Sequence, residues 1–162
     1  MRLAIISDTH LPKGRRELPD RCIELLRSSD LILHAGDVRT TASLDELQAL
    51  GPPVAGVHGN VDSAEVREQL PAERVVAVDG LEIGMVHDAG PARGRLARMR
   101  RRFPAAAAVV FGHSHIPLRE ADGEFQIFNP GSPTERRRSP AHTMGLAQVG
   151  DGRISFELVT LD

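Results

Sequence analysis

The sequence has little of what marks several classes of protein. Among its 162 residues there is one cysteine, Cys22, which excludes a disulfide framework and a cysteine-based zinc site. No apolar run approaches the length of a membrane span, so we expect no membrane segment. Because Met1-Arg2-Leu3 leads directly into an apolar run, we also expect no signal peptide. These absences together predict a cytoplasmic protein.

The positive and negative charges nearly cancel. The formal net charge is −2, and Lys13 is the only lysine, so the other basic residues are arginines. A chain with this balance has no global attraction for nucleic acid or for an anionic membrane. The length and the 41% hydrophobic content suffice for one well-buried core. We therefore expect one domain over residues 1–162, with neither a nucleic acid nor a membrane as its partner.

The apolar run Leu3-Ala4-Ile5-Ile6 continues into Ser7-Asp8-Thr9-His10. A short apolar run of this kind, bounded by polar residues, is typical of a buried parallel strand. Ligands of α/β proteins gather outside the carboxyl ends of such strands. Asp8 and His10 therefore stand at a position suited to chemistry.

The first half of the chain alternates strands with helices. The apolar spacing of Leu18, Cys22, Leu25 and Leu26 predicts a helix with Cys22 in the core. Ser43 and Glu46 match a capping box for a second helix that continues to Leu50. Further strands are predicted at Leu31–His34 and Val54–Val57, and a short helix at about Ser63–Leu70.

The second half is richer in strands. Asp79-Gly80 joins two predicted strands of a hairpin, Arg74–Asp79 and Leu81–Val86. Leu96, Met99 and Phe103 mark one face of an arginine-rich helix. The remaining strands are predicted at Ala106–Phe111, Leu118–Ala121, Phe125–Phe128, Leu146–Val149 and Ile154–Val159. This order predicts an α/β fold in which two sheets pack together with helices outside.

Oxygen and nitrogen donors follow five of the predicted strands. They are Asp8, His10, Asp37, Asn60, His87, His113 and His115. Such a mixed set suits divalent Mn, Fe, Co, Ni or Zn. Seven donors exceed the needs of one ion, whereas two ions roughly 3.5–4 Å apart that share a carboxylate would use them all. Gly36, Gly59 and Gly112 lie just before donors and permit close approach of the backbone.

Each donor alone is weak support for a metal site. An aspartate after a buried strand is more often a turn former or a helix cap, and Asp62 could cap the helix that begins near Ser63. A single histidine near a strand end is more often structural. A structural explanation for five strand ends together is much harder to sustain.

The blocks Asp8-x-His10, Gly36-Asp37, Gly59-Asn60-x-Asp62, His87 and Gly112-His113-x-His115 resemble the signature blocks of the calcineurin-like metallophosphoesterase superfamily, and they occur in the family's order. The resemblance extends from residue 5 to about residue 132. Asn129-Pro130-Gly131-Ser132 and the short length resemble the small prokaryotic phosphodiesterase branch. The resemblance implies a four-layer α/β/β/α sandwich with a dinuclear metal site.

The resemblance also assigns roles to the donors. By the family pattern, Asp8, His10 and His115 hold one ion, Asn60, His87 and His113 hold the other, and Asp37 bridges both. The implied activity is that of a phosphodiesterase, by in-line attack of a metal-bridging hydroxide on a small phosphoester substrate, with Mn foremost among the candidate ions. Alternatives are a phosphomonoesterase or a nuclease of the same fold, or a protein-binding scaffold with a vestigial site, since a retromer subunit of similar fold works through its surfaces.

Two departures from the family pattern concern the catalytic residues. Many relatives carry a histidine directly after the metal-binding asparagine, where it protonates the leaving group; here that residue is Val61, which cannot. His58 would share a face with Asn60 if the strand continued through both residues, so it is the candidate substitute, alongside a local packing role. Relatives also often show His-Gly where this chain has His87-Asp88-Ala89-Gly90, which leaves the conformation of that loop open.

Several other polar residues stay ambiguous in the sequence. His34 precedes Ala35-Gly36-Asp37 and is expected to orient Asp37 or to pack beneath it. His142 could approach the site or face water. The arginines at 93–102 favour a solvated helix face over a nucleic-acid patch. Arg136-Arg137-Arg138 either lies near a phosphate or forms a surface turn. The apolar C-terminal strands leave a sheet edge that is often covered in the family that this chain resembles, so we expect a homo-oligomer.

Overall fold

The computed structural model describes all 162 residues. Ten strands form two five-stranded sheets of mixed direction. The strands of the first sheet, in spatial order, are β10 (Arg153–Thr160), β9 (Thr143–Gly150), β1 (Arg2–Ile6), β2 (Leu31–His34) and β3 (Val54–Gly56). Those of the second are β4 (Glu73–Val78), β5 (Leu81–Val86), β6 (Ala108–Val110), β8 (Phe125–Asn129) and β7 (Leu118–Asp122).

The first sheet is organised around β1. This strand pairs in parallel with β2, with Leu3 opposite Leu31, and antiparallel with β9, with Leu3 opposite Ala147. All residues from Leu3 to Ile6 have no solvent exposure. The continuous apolar run therefore reflects a central strand that is covered on both faces.

The second sheet contains the predicted hairpin. β4 and β5 pair antiparallel around Asp79-Gly80, with both turn residues at positive φ, the conformation that this dipeptide favours in a two-residue hairpin loop. β5, β6 and β8 then run parallel. In both sheets, the carboxyl ends of the parallel strands lie toward the same edge of the protein.

Four helices cover the outer faces of the sheets: α1 (Asp20–Arg27), α2 (Thr41–Gln48), α3 (Ala64–Gln69) and α4 (Arg95–Arg102). The predicted cap of α2 was wrong: the residue that caps it is Thr40, whose hydroxyl accepts a hydrogen bond from the Ser43 N–H, so the helix begins three residues before the sequence pattern suggested. The cap of α3 is Ser63, which accepts from the Val66 N–H.

The buried residues divide into three apolar clusters that define four layers. One cluster fills the space between the sheets and includes Leu3, Met85 and Phe128. A second lies between the first sheet and α1, α2 and α3, and contains Cys22 as predicted. A third lies between the second sheet and Met99 and Phe103 of the α4 region. The expected α/β/β/α sandwich is confirmed, and no helix in it combines the length and apolar character needed to cross a bilayer.

His34 is fully buried at the end of β2. Its Nδ1 accepts a hydrogen bond from the Gly36 N–H at 3.2 Å, and its Nε2 lies 3.0 Å from the Thr9 hydroxyl. The ring thus holds the backbone before Asp37 and does not bond to the Asp37 carboxylate. Burial lowers the pKa of His34 to about 4, although nearby carboxylates oppose the shift.

A neutral buried histidine predicts a specific loss of stability in acid. Between the ordinary pKa of about 6.5 and the folded pKa of about 4, only the unfolded chain takes up a proton on His34. The free energy of unfolding should therefore fall by up to about 3 kcal/mol as the pH drops through this window. Denaturant unfolding of metal-free protein at neutral and mildly acidic pH would measure it, and His34→Asn should lose distinctly less stability. An equal loss in both proteins would contradict the prediction.

Candidate metal centre

The seven predicted donors meet at one edge of the molecule. They follow β1, β2, β3, β5 and β6, and side-chain contacts connect all of them. Asp8, Asp37, His10, His87 and His115 are buried, whereas Asn60 and His113 are exposed. The donors thus form a pocket with a buried floor and a mouth open to solvent.

The Asp37 carboxylate lies between two imidazoles. Its Oδ2 is 3.2 Å from His10 Nε2 and 3.2 Å from His87 Nε2. Its Oδ1 accepts a hydrogen bond from the Val61 N–H at 3.0 Å. One oxygen is therefore anchored to the backbone, while the other is shared by the two sides of the pocket.

Asp8 is arranged in the same way. Its Oδ2 accepts hydrogen bonds from the Ser7 hydroxyl at 2.7 Å and from the His113 N–H at 2.9 Å. Its Oδ1 points into the pocket, 3.4 Å from His115 Nε2 and 3.8 Å from His10 Nε2. A fully buried carboxylate thus keeps one oxygen aimed at ring nitrogens.

Asn60 completes the opposite side. Its Oδ1 lies 3.1 Å from His87 Nε2 and 3.1 Å from His113 Nδ1. An amide oxygen between two imidazole nitrogens is a neutral oxygen donor within reach of both. The pocket therefore has one group of donors around Asp8 and another around Asn60, with Asp37 between them.

The unpaired atoms in the pocket are suited to a cation. Asp8 Oδ1, His10 Nε2 and His115 Nε2 are buried and have no hydrogen-bond partner, and each such atom costs about 1–3 kcal/mol when left unsatisfied. Within the sets Asp8, His10, His115 and Asp8, Asp37, His87, the donor atoms all lie within 4.8 Å of one another. Imidazole nitrogens and carboxylate oxygens are ligands of borderline divalent metals. The residues therefore fit divalent ions.

The backbone of the pocket is strained. Five of the seven donors have positive φ: Asp8 at 55°, His10 at 49°, Asp37 at 61°, His113 at 72° and His115 at 61°. Such conformations cost about 1–3 kcal/mol each and persist where the surroundings enforce them, typically at functional sites. The strain turns side chains from successive loops into one pocket.

All three predicted glycines are needed for close approach, and a Cβ added to Gly36 would overlap the His87 ring. A Cβ added to Gly59 would overlap the Asp37 carboxylate, and one added to Gly112 would overlap the Ser7 hydroxyl and crowd Asp8 Oδ2. The backbone at both positions passes directly against the two carboxylates. The sequence argument that these glycines permit close approach is confirmed.

Asp62 has a different place from the helix cap considered in the sequence. Its Oδ2 accepts hydrogen bonds from the Gly59 and Asp37 N–H groups at 2.6 and 3.1 Å, and its Oδ1 accepts one from the Arg39 N–H. Ser63 caps α3 instead. Asp62 thus connects the loops after β2 and β3 and sets the position of Asp37.

Two histidines are held from behind by a hydrogen bond at Nδ1, and a third meets a carboxylate there. His87 Nδ1 lies 2.8 Å from the Ala35 carbonyl oxygen and His115 Nδ1 lies 2.5 Å from that of Glu135. His10 Nδ1 lies 3.2 Å from the Glu135 carboxylate. A proton on Nδ1 leaves each Nε2 as the electron-pair donor facing the pocket. Sequence reasoning missed Glu135, whose only signal was its place three residues after Ser132.

The charges of the pocket shift several pKa values. Burial lowers the pKa of His10, but Asp37 and Asp8 outweigh it and raise this pKa to about 9. Burial also opposes the upward shift of the His87 pKa, which comes from the same carboxylates. Burial raises the pKa of Asp37, yet His10 and His87 hold it far below its usual range. For His115, burial dominates and lowers the pKa.

The sequence also singled out His142 and His58. His142 Nδ1 pairs with the Asp162 carboxylate at 2.7 Å, so this histidine does not approach the site. β3 ends at Gly56, and residues 59–62 form a turn closed by Asp62. The strand alternation that would place His58 and Asn60 on one face therefore does not extend to these residues.

Most arginines of the α4 region are engaged within the fold. Arg98 donates hydrogen bonds to the Ala89 and Pro91 carbonyl oxygens, which fixes the loop after His87. Arg100 pairs with Asp122, and Arg102 with Glu73. Arg136 donates to the Ser139 and Pro140 carbonyl oxygens of its own turn. These contacts hold the arginines against neighbouring segments of the fold.

Comparisons with known proteins agree with this geometry. A probable metallophosphoesterase of Methanothermobacter thermautotrophicus is 32% identical over 161 residues, which cover 98% of this chain and 92% of the relative. Wild-type Vps29 from Entamoeba histolytica, crystallised with Zn²⁺, has a TM-score of 0.78 at 22% identity, with 100% of both chains covered. A structure described as a novel archaeal phosphodiesterase has a TM-score of 0.72 at 19% identity, covering 98% of this chain and 100% of that one.

The two structures share the fold with this chain, and the archaeal relative shares its sequence over nearly the full length. A family model described as the calcineurin-like phosphoesterase superfamily domain matches residues 1–152. This chain belongs to the calcineurin-like phosphoesterase superfamily.

Proposed function

We propose that this protein is a metal-dependent phosphodiesterase with a dinuclear centre. The observation that carries the proposal is the Asp37 oxygen shared between His10 and His87, with donors arranged on both sides of it. In this proposal Asp8, His10 and His115 hold one ion, Asn60, His87 and His113 hold the other, and Asp37 contacts both. When bound, the ions supply an activated water and positive charge for the phosphoryl oxygens.

The pocket is open to solvent on one side and closed by buried carboxylates on the other. The open mouth is lined by Asn60 and His113, and the His113 side chain is 45% exposed. With Asn60 Oδ1 turned toward the histidines, its amide N–H groups are free to donate to a substrate phosphoryl oxygen. The buried carboxylates at the floor would disfavour an additional anion except where cations are bound.

Two alternatives to this proposal are a phosphomonoesterase and a protein-binding scaffold. The choice of a diester over a monoester rests on likeness to the archaeal phosphodiesterase. A scaffold role is suggested by likeness to Vps29, one structure of which contains Zn²⁺. Since a chain of this fold can hold a metal in that structure, metal binding alone will not separate an enzyme from a scaffold, and turnover of a phosphodiester must be measured.

Asp37→Asn should remove the dinuclear centre. The substitution keeps the size of the side chain but takes away the negative charge shared by the two sides, so we expect fewer than two Mn²⁺ per chain. Activity should fall by about 10²–10³-fold or more, the range found when a single charge-stabilising group is removed. Elemental analysis after gel filtration and steady-state rates would measure both quantities.

Asp45→Asn, an exposed aspartate on α2, is the matched control and should leave both quantities unchanged. A wild-type protein that reaches full activity with a single tightly bound ion would contradict the two-ion proposal. An Asp37→Asn protein with two ions and full activity would do the same.

The rate should depend steeply on the leaving group. Val61 occupies the position of the family's proton donor, is 41% exposed, and has no proton to give. A positioned general acid contributes about 10²–10⁴-fold, and this help matters for an alkoxide far more than for an activated aryl oxide. We therefore expect activated aryl diesters to be strongly preferred over alkyl diesters, as measured by kcat/KM across a series of leaving-group pKa values.

His58→Ala tests the substitute donor. If His58 donates the proton, the variant should slow alkyl diesters far more than aryl diesters; if it only packs, both rates should change together or stay the same. Comparable rates for alkyl and aryl diesters in the wild-type protein would show that an efficient acid exists and that the reasoning from Val61 is wrong.

A further inference from the structure

Glu135 lies behind the half of the pocket formed by Asp8, His10 and His115. We infer that it is a positioning residue for this half-site, which makes the two halves of the metal centre unequal. The inference rests on the proposed function, because it concerns the same ions. Glu135 itself does not face the pocket as a donor.

The Glu135 side chain orients His10. Its Oε2 lies 3.2 Å from His10 Nδ1, at ion-pair distance but without the alignment of a hydrogen bond, on the opposite side of the ring from the Nε2 that faces Asp8 and Asp37. A carboxylate behind a metal-binding histidine fixes the ring and raises its basicity. In the other half, His87 Nδ1 faces the Ala35 carbonyl oxygen, and the only carboxylate near the far nitrogen of His113 is that of Asp88, which is exposed and 3.9 Å away.

The main chain of Glu135 orients His115. The His115 Nδ1 lies 2.5 Å from the Glu135 carbonyl oxygen. The same segment also reaches the third donor, since the Ser132 hydroxyl accepts from the Glu135 N–H at 2.9 Å and donates to the Asp8 carbonyl oxygen at 2.8 Å. One short segment therefore contacts the residues of all three donors in this half.

Two cations balance the Glu135 carboxylate. Arg16 Nη1 lies 3.3 Å from Oε2, and Lys13 Nζ lies 3.4 Å from Oε1. The carboxylate is only 19% exposed, so these cations and His10 offset the cost of keeping it ionised there. Lys13 and Arg16 also connect the loop after β1 to the segment around Glu135.

The test is Mn²⁺ binding to metal-free protein by calorimetry. Glu135→Ala should weaken one of the two binding events by about 10–100-fold, the range for loss of such an orienting partner, and leave the other unchanged. Glu135→Gln keeps an acceptor for His10 and should recover part of the lost affinity. Glu17→Ala removes an exposed carboxylate from the loop after β1 and should change neither event, which controls for net charge.

The outcomes are distinguishable. A wild-type protein that binds no Mn²⁺ would overturn the proposed function and the inference together. Two unchanged binding events in Glu135→Ala, or an equal loss in both, would overturn the inference alone. Thermal unfolding of the metal-free variants identifies a protein that has lost its fold. If Glu135→Ala does not fold, the Glu135→Gln variant is tested in its place. Selective weakening of one binding event in Glu135→Gln would support the inference, whereas two events of wild-type affinity, or two equally weakened events, would overturn it.

Discussion

The structure depends on the burial of two carboxylates where almost no solvent reaches them. Asp8 and Asp37 are buried within one pocket, and burying a charge costs several kcal/mol unless it is paired. Each carboxylate meets this cost in the same way, with one oxygen bonded to a backbone N–H and the other facing imidazoles. The loops around the pocket serve largely to aim those N–H groups and rings.

This constraint explains why strain is concentrated at one edge of a regular sandwich. The strands stop before the donors, and the left-handed residues that follow turn each side chain inward. Asp62 holds two of the loops by accepting three backbone N–H groups. The stable three-cluster core supports a local arrangement that would not form in isolated loops.

The sequence was informative wherever a feature depends on neighbouring residues. Buried strands show as apolar runs and the Asp79-Gly80 hairpin shows as a turn dipeptide, so the layers and the set of strand ends could be predicted. The Thr40 cap, the role of Asp62 and the position of Glu135 could not. Asp62 and Glu135 act through contacts with residues 23 to 125 positions away, and no local pattern records such a partner. The strand alternation that would place His58 and Asn60 on one face is absent for a related reason, since β3 ends at Gly56, earlier than its apolar residues suggested.

The distance along the chain between Asp8 and Ser132 has a consequence for how the protein matures. The hydroxyl of Ser132 bonds to the backbone of Asp8 across 124 positions, and β1 lies between β2 and the late strand β9. A nascent chain that has just exposed His115 already carries every donor, yet it lacks both the segment that orients three of them and one neighbour of its central strand. Under the proposed function, capture of metal with native affinity should therefore report that synthesis has passed this segment.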